Sequence, residues 1–199
     1  MGQKLLGATA LAGLVLGAAL ARPAVAEVVL FDFEDQVFAA DTPLSIVKGS
    51  FTANFASPAD PGAFGITAAF GLFPSMSGNI LASPGSSFVD SVPLTITFSR
   101  PVRAVSFQFG LGSADPGSLI ELATNAGGST SKAGTVQIGS LLPQGVLDFS
   151  GDYFTVLTLF SNTLDFGIDN LSVDLPEPAS AAVLALGLFA LGLVRRRAS

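Results

Sequence analysis

The sequence predicts an all-β protein: an antiparallel β-sandwich or jelly-roll ectodomain, with a signal peptide before it and a transmembrane helix after it. Three observations predict it. Between Glu27 and Asp174 apolar residues recur at every second position in short runs, the pattern of half-buried strands. Clusters of Gly, Pro, Ser and Asn interrupt those runs at short intervals. No stretch of this region carries the apolar repeat of an amphipathic helix. Many short strands joined by such turns pack as two facing sheets.

The elements follow in order. Glu27 to Glu34 reads as a first strand, with Val29, Phe31 and Phe33 on one face and Leu30, Asp32 and Glu34 on the other. Asp41-Thr42-Pro43 turns the chain. Leu44–Lys48 and Ser50–Ala56 form two strands around Gly49. Ser57 to Gly62 is a loop, with Pro58, Pro61 and Gly62. Phe64 to Phe73 is apolar but broken by Gly, a weak strand or a packed loop. Pro74 to Gly78 turns into a short strand, Asn79–Ala82, and Ser83 to Ser87 is a loop. Leu94–Phe98 alternates strictly and is expected to end at Arg100-Pro101, since Pro lacks the N–H a ladder needs. Val105, Phe107 and Phe109 then share one face. Ser118–Thr124 is a strand, and Asn125 to Gly128 a hairpin turn. Thr135–Ile138 and Gly145–Phe149 are expected as short strands. Ser150-Gly151-Asp152 is expected as a turn into Tyr153–Phe160. Ser161 to Thr163 is the last turn, and Leu164–Asp174 the last strand.

Composition removes several chemistries. The chain has no Cys and no His. Thiol nucleophiles, zinc-thiolate sites and the Ser-His-Asp triad are therefore excluded, along with the usual general base near neutral pH. There is no Trp, and Tyr153 is the one Tyr; the 17 Phe are core material by their size and lack of polar atoms. Between residues 27 and 174 the basic residues are Lys48, Arg100, Arg103 and Lys132, against fourteen acidic ones. So acidic a surface argues against nucleic acid and anionic lipid. The mean hydropathy of +0.62 reflects the two termini rather than an integral membrane domain.

Both termini read as delivery signals. Lys4 precedes an apolar region, Leu5–Leu20, and Ala24-Val25-Ala26 meets the small-x-small rule at Ala24 and Ala26 for signal peptidase cleavage before Glu27. At the other end, Pro176-Glu177-Pro178 holds the chain extended. Ala179–Val194 follows without a charge, and Arg195, Arg196 and Arg197 close the segment. The apolar run makes a helix of about 24 Å, and the arginines keep that end in the cytoplasm. The chain divides into a signal peptide (1–26), an ectodomain (27–174) and a C-terminal segment (175–199).

That C-terminal segment resembles the PEP-CTERM sorting signal of Gram-negative bacteria, over Pro176 to Arg197. The resemblance implies recognition of Pro176, Glu177 and Pro178 by an exosortase, a membrane cysteine protease. It implies a transient inner-membrane anchor at Ala179–Val194 and a stop-transfer cluster at Arg195–Arg197. Cleavage near the motif would then leave the product at the cell surface or outside the cell, in association with exopolysaccharide or biofilm.

A second resemblance covers only the edges of the domain. Phe31-Asp32-Phe33-Glu34 and Phe166 to Val173 look like the first and last strands of jelly-roll carbohydrate-binding modules. This implies a structural calcium, a cation that takes oxygen ligands, at Asp32, Glu34, Asp165 and Asp169. The other reading is that Asp169 and Asn170 bond to backbone at a bulge or turn. Asp32, Glu34 and Asp35 are also the nearest thing to a glycosidase carboxylate pair, but a run of surface acids is ordinarily a solvated edge. Ser131 and Lys132 are adjacent and would face opposite ways in a strand. Two functional classes remain. One is a non-catalytic exported surface or matrix protein. The other is a carbohydrate-binding module, which would need an exposed aromatic or polar groove.

Overall fold

The computed structural model describes residues 27–69, 73–83, 92–163 and 165–176. Ala24 and Ala26, expected to direct signal peptidase, and Glu177, Pro178, Arg195, Arg196 and Arg197, expected in a sorting signal, lie outside them. Among the described residues there are ten strands and no helix. In chain order they are β1 Val28–Phe31, β2 Leu44–Lys48, β3 Phe51–Ala56, β4 Gly65–Ala68 and β5 Asn79–Ala82. β6 Leu94–Leu111, β7 Leu119–Thr124, β8 Ser129–Ala133, β9 Gln144–Ser161 and β10 Phe166–Asp174 follow. Every ladder is antiparallel.

Two 18-residue strands, β6 and β9, give the fold its shape. Their first register pairs Leu94–Thr97 with Leu159–Val156, between β3 on one side and β7–β8 on the other. Their second register pairs Ala104–Gly110 with Ser150–Gln144, beside β10, β5 and β4. The single sheet bends between these registers and folds over itself. Phe31 of β1 meets Phe51 and Phe55 of β3, with ring centroids 6.1 Å apart in both pairs. Phe98 of β6 meets Phe154 of β9 at 6.2 Å. The core is therefore built from the alternate residues that strand periodicity places inward, with Phe31, Phe33, Phe51, Phe55, Phe64, Phe107, Phe109 and Phe154 essentially inaccessible. Each such ring removes enough apolar surface to contribute about 2–3 kcal/mol.

The bend explains two departures from the expected elements, and a third lies at the edge of the sheet. Arg100-Pro101 does not end a strand: β6 continues through it. The ladder to β9 skips from Thr97 to Val102, so Pro101 sits in an interruption where its missing N–H leaves no gap in that ladder. Ser150-Gly151-Asp152 is likewise no turn but the matching irregularity in β9, between Ala104↔Ser150 and Val102↔Phe154. Thr135–Ile138 is not a strand; Thr135 makes one bridge to Gln144 and Val136 to Ile138 lie in an exposed loop. The strand of that region is β8, where Ser-Thr-Ser-Lys-Ala shows no apolar alternation because an edge strand with little packing beneath it buries almost nothing.

At the chain's beginning, β1 stops at Phe31 rather than Glu34, because Phe33 turns the backbone with φ 60°. The expected alternation still holds: Val29, Phe31 and Phe33 are buried, and Leu30 and Glu34 exposed. Gly49 joins β2 and β3 with φ 62°, as a hairpin turn there requires.

Candidate functional site

β10 carries a one-residue bulge that organises the acidic corner. Its register with β6 slips between Asp169↔Gln108 and Ser172↔Ser106, three steps on β10 against two on β6. Asn170 takes up the extra residue at φ 51°, a conformation Asn tolerates better than most side chains. The bulge lies where the other edge of β10 changes partner, from β5 at Gly167 and Ile168 to β1 at Leu171 through Asp174. Into that gap projects the carboxylate of Asp169, which is 1% exposed.

Asp169 Oδ1 accepts the N–H of Asn170 at 2.7 Å. The backbone N–H of Ser77 also donates to this carboxylate. Oδ2 is buried without a hydrogen-bond partner. Burial pushes the carboxyl up to about 6; the two backbone donors oppose the rise, and the charges of Glu34 and Asp32 add to it. Glu34, in the turn after β1, accepts the N–H of Asn79 at 3.2 and 3.3 Å on its two oxygens. Its carboxylate occupies the space a Cβ on Gly78 would need. Glu34 and Asp169 thus hold the Ser77-Gly78-Asn79 turn between them. Asp32 lies 3.6 Å from Lys48 Nζ, and Asp35 3.1 Å from it. Asp35 first, and then Asp32, holds the Lys48 ammonium above its ordinary range.

The expected calcium ligands are therefore only partly gathered. Asp169 feels the charges of Glu34 and Asp32, whereas Asp165 Oδ1 accepts the Ser83 hydroxyl at 3.3 Å. Among the described residues no three acidic side chains are placed to hold a metal ion together. Asp169 bonds to backbone at a bulge, as the alternative reading of the sequence has it, whereas the Asn170 side chain donates to Gln108 Oε1.

A second place was not anticipated. On the outer face of β7, β8 and β9, Glu121 stands directly across from Ser131 on one side and Phe160 on the other. One step along, Ala123 stands between Ser129 and Thr158. Ile120, Leu122 and Leu159, the alternate residues, are buried, so this row faces outward. A groove of about 370 Å³ runs over it. Phe160 is 40% exposed there, unlike the core rings. The signal was present in the sequence: Phe160 falls out of step with Leu157 and Leu159, and Glu121 lies between Ile120 and Leu122. Tyr153 is exposed elsewhere, at the bend of β9.

No family model matches the chain, and no curated protein matches it. Among solved structures it is similar to the K2 cleaved adhesin domain of Lys-gingipain, at 9% identity and TM-score 0.48, over 74% of this chain and 99% of that one. It is similar to the catalytic domain of a GH87 alpha-1,3-glucanase at 9% identity and TM-score 0.37, over 78% of this chain and 29% of that one. The CBM22-1 xylan-binding domain from Paenibacillus barcinonensis Xyn10C matches at 10% identity and TM-score 0.33, over 79% of this chain and all of that one, 100%. At these identities and scores none of the three assigns a role to any residue here.

Proposed function

We propose that this chain is a non-catalytic exported protein, handed to an exosortase through Pro176-Glu177-Pro178 and delivered to the cell surface or the extracellular matrix. The observation that carries the reading is the order proline motif, uncharged apolar run, arginine cluster over residues 176–197. The position of the motif supports it. β10 ends at Asp174, so Pro176 comes two residues after the last strand, where a processing enzyme meets chain rather than sheet. The absence of His and Cys from the sequence supports a non-catalytic role. Intact mass of the protein in each cell fraction of its host tests it. Loss of residues 1–26 and of the segment after the proline motif, in the surface or extracellular fraction, is expected. A full C-terminus retained in the inner membrane would overturn it.

A second reading is a carbohydrate-binding module with a structural calcium. Phe160 beside Glu121 and Ser131 favours the first half. The second half rests on Asp169 Oδ2, buried without a partner, and requires Glu34 to turn away from Asn79. Calorimetric titration with calcium decides that half: heat with a raised melting temperature supports it, and neither removes it.

A further inference from the structure

We propose that the outer face of β7–β9, at Phe160, Glu121 and Ser131, binds a neutral polysaccharide; this rests on the carbohydrate-binding reading and gives it a site. The argument begins with the chemistry of the row. Phe160 offers an apolar ring face, 40% exposed, on a rigid strand rather than a loop. The C–H face of a pyranose ring is the complementary surface. Glu121, when ionised, only accepts hydrogen bonds and suits a pair of adjacent sugar hydroxyls. Ser131, Ser129 and Thr158 each both donate and accept, which matches a ligand made of hydroxyls.

Charge narrows the class. Among the described residues that line the groove, Glu121 alone is charged. The chain as a whole is acidic, with a formal charge of −6. A uronic-acid polymer, a nucleic acid or an anionic lipid would be repelled, and a neutral glycan would not. The face also continues beyond the groove with the same chemistry. Thr158 pairs with Thr95 of β6, and Thr97 with Asn54 of β3, which faces Ser45 of β2. Strands about 4.8 Å apart then carry polar side chains over much of the layer, interrupted by Ala56 and Val156, so an extended chain has a surface to lie along. Fixed strands hold these groups in place before binding, which lowers the entropic cost of association.

The test is affinity electrophoresis of the full chain in native gels containing a soluble β-glucan, a xylan, an α-glucan or a uronic-acid polymer. Retardation by at least one neutral polymer is expected, and none by the polyanion. Phe160→Ala and Glu121→Gln should each weaken it about tenfold; Tyr153→Ala, an exposed aromatic away from the row, should not. Both row substitutions are at the surface, and a melting curve for each verifies folding. Retardation of the wild type that survives both substitutions would overturn the site while leaving the carbohydrate-binding reading in place. Preference for the uronic-acid polymer would overturn the neutral class. No retardation by any polymer would overturn both.

Discussion

Asp169 accepts the N–H of the residue that follows it, Asn170, at 2.7 Å, and it does so from a position 1% exposed to solvent. The bond joins the bulge of β10 to a carboxylate whose second oxygen has no partner. Burial raises its titration from 3.8 to about 6. Between those values the folded protein keeps a proton that the unfolded chain has released. Stability therefore falls as pH rises through that window and stays level above it, by up to about 3 kcal/mol. Asp169→Asn keeps the Oδ1 acceptor and carries no charge. The variant should melt above the wild type at pH 8, with the difference closing near pH 4. Melting curves across pH measure this, and a difference independent of pH would contradict it.

Asn170 supplies both a backbone conformation and a side chain. Its φ is 51°, and its Nδ2 donates to Gln108 Oε1 at 3.3 Å. Asn170→Gly should keep the bulge and lose only the side-chain bond. Asn170→Val should lose both and add strain of about 1–2 kcal/mol. Chemical denaturation should rank the two in that order; equal stability would show that the bulge relaxes.

Gly78 and Glu34 are coupled through space. Gly78 has φ 68°, and the Glu34 carboxylate fills the place of its absent Cβ. Gly78→Ala should destabilise by about 1–2 kcal/mol from the backbone alone, and more from displacing Glu34 off Asn79. In a Glu34→Ala background only the backbone part should remain. A double-mutant cycle with no interaction energy would separate the two residues.

Gln144 begins β9 with its side chain fully inside. Its Oε1 accepts the backbone N–H of Ser75 at 3.0 Å and the Ser75 hydroxyl. Gln144→Leu would leave that N–H without its partner, at a cost of about 1–3 kcal/mol. Faster hydrogen exchange at Ser75 should accompany the loss; unchanged exchange would mean that water replaces the side chain.

Much of this fold was legible because short strands write their burial into alternate residues. Val29, Phe31 and Phe33, or Phe107 and Phe109, fall on one face by strand periodicity alone. What stayed hidden depended on partners distant in sequence. Pro101 reads as a breaker until β9 is seen to skip its position. β8 has no pattern because an edge strand needs none. The acidic corner was half legible: Asp169, Asn170 and the turn ending at Gly78 stood out, but not that Asp169 and Glu34 grip that turn at Ser77 and Asn79. In the Phe160 row the outward placing of Phe160 and Glu121 was legible but their meeting was not, since Ser131, Glu121 and Phe160 become neighbours only through two ladders.

Val28 pairs with Asp174, so the first and last strands begin and end side by side, at the bend of the sheet and away from the β8–β9 loop. This sets how the domain meets mechanical load. A pull that separates the chain before Val28 from the chain after Asp174 acts across the β1–β10 ladder and opens its hydrogen bonds one after another, as a zipper opens.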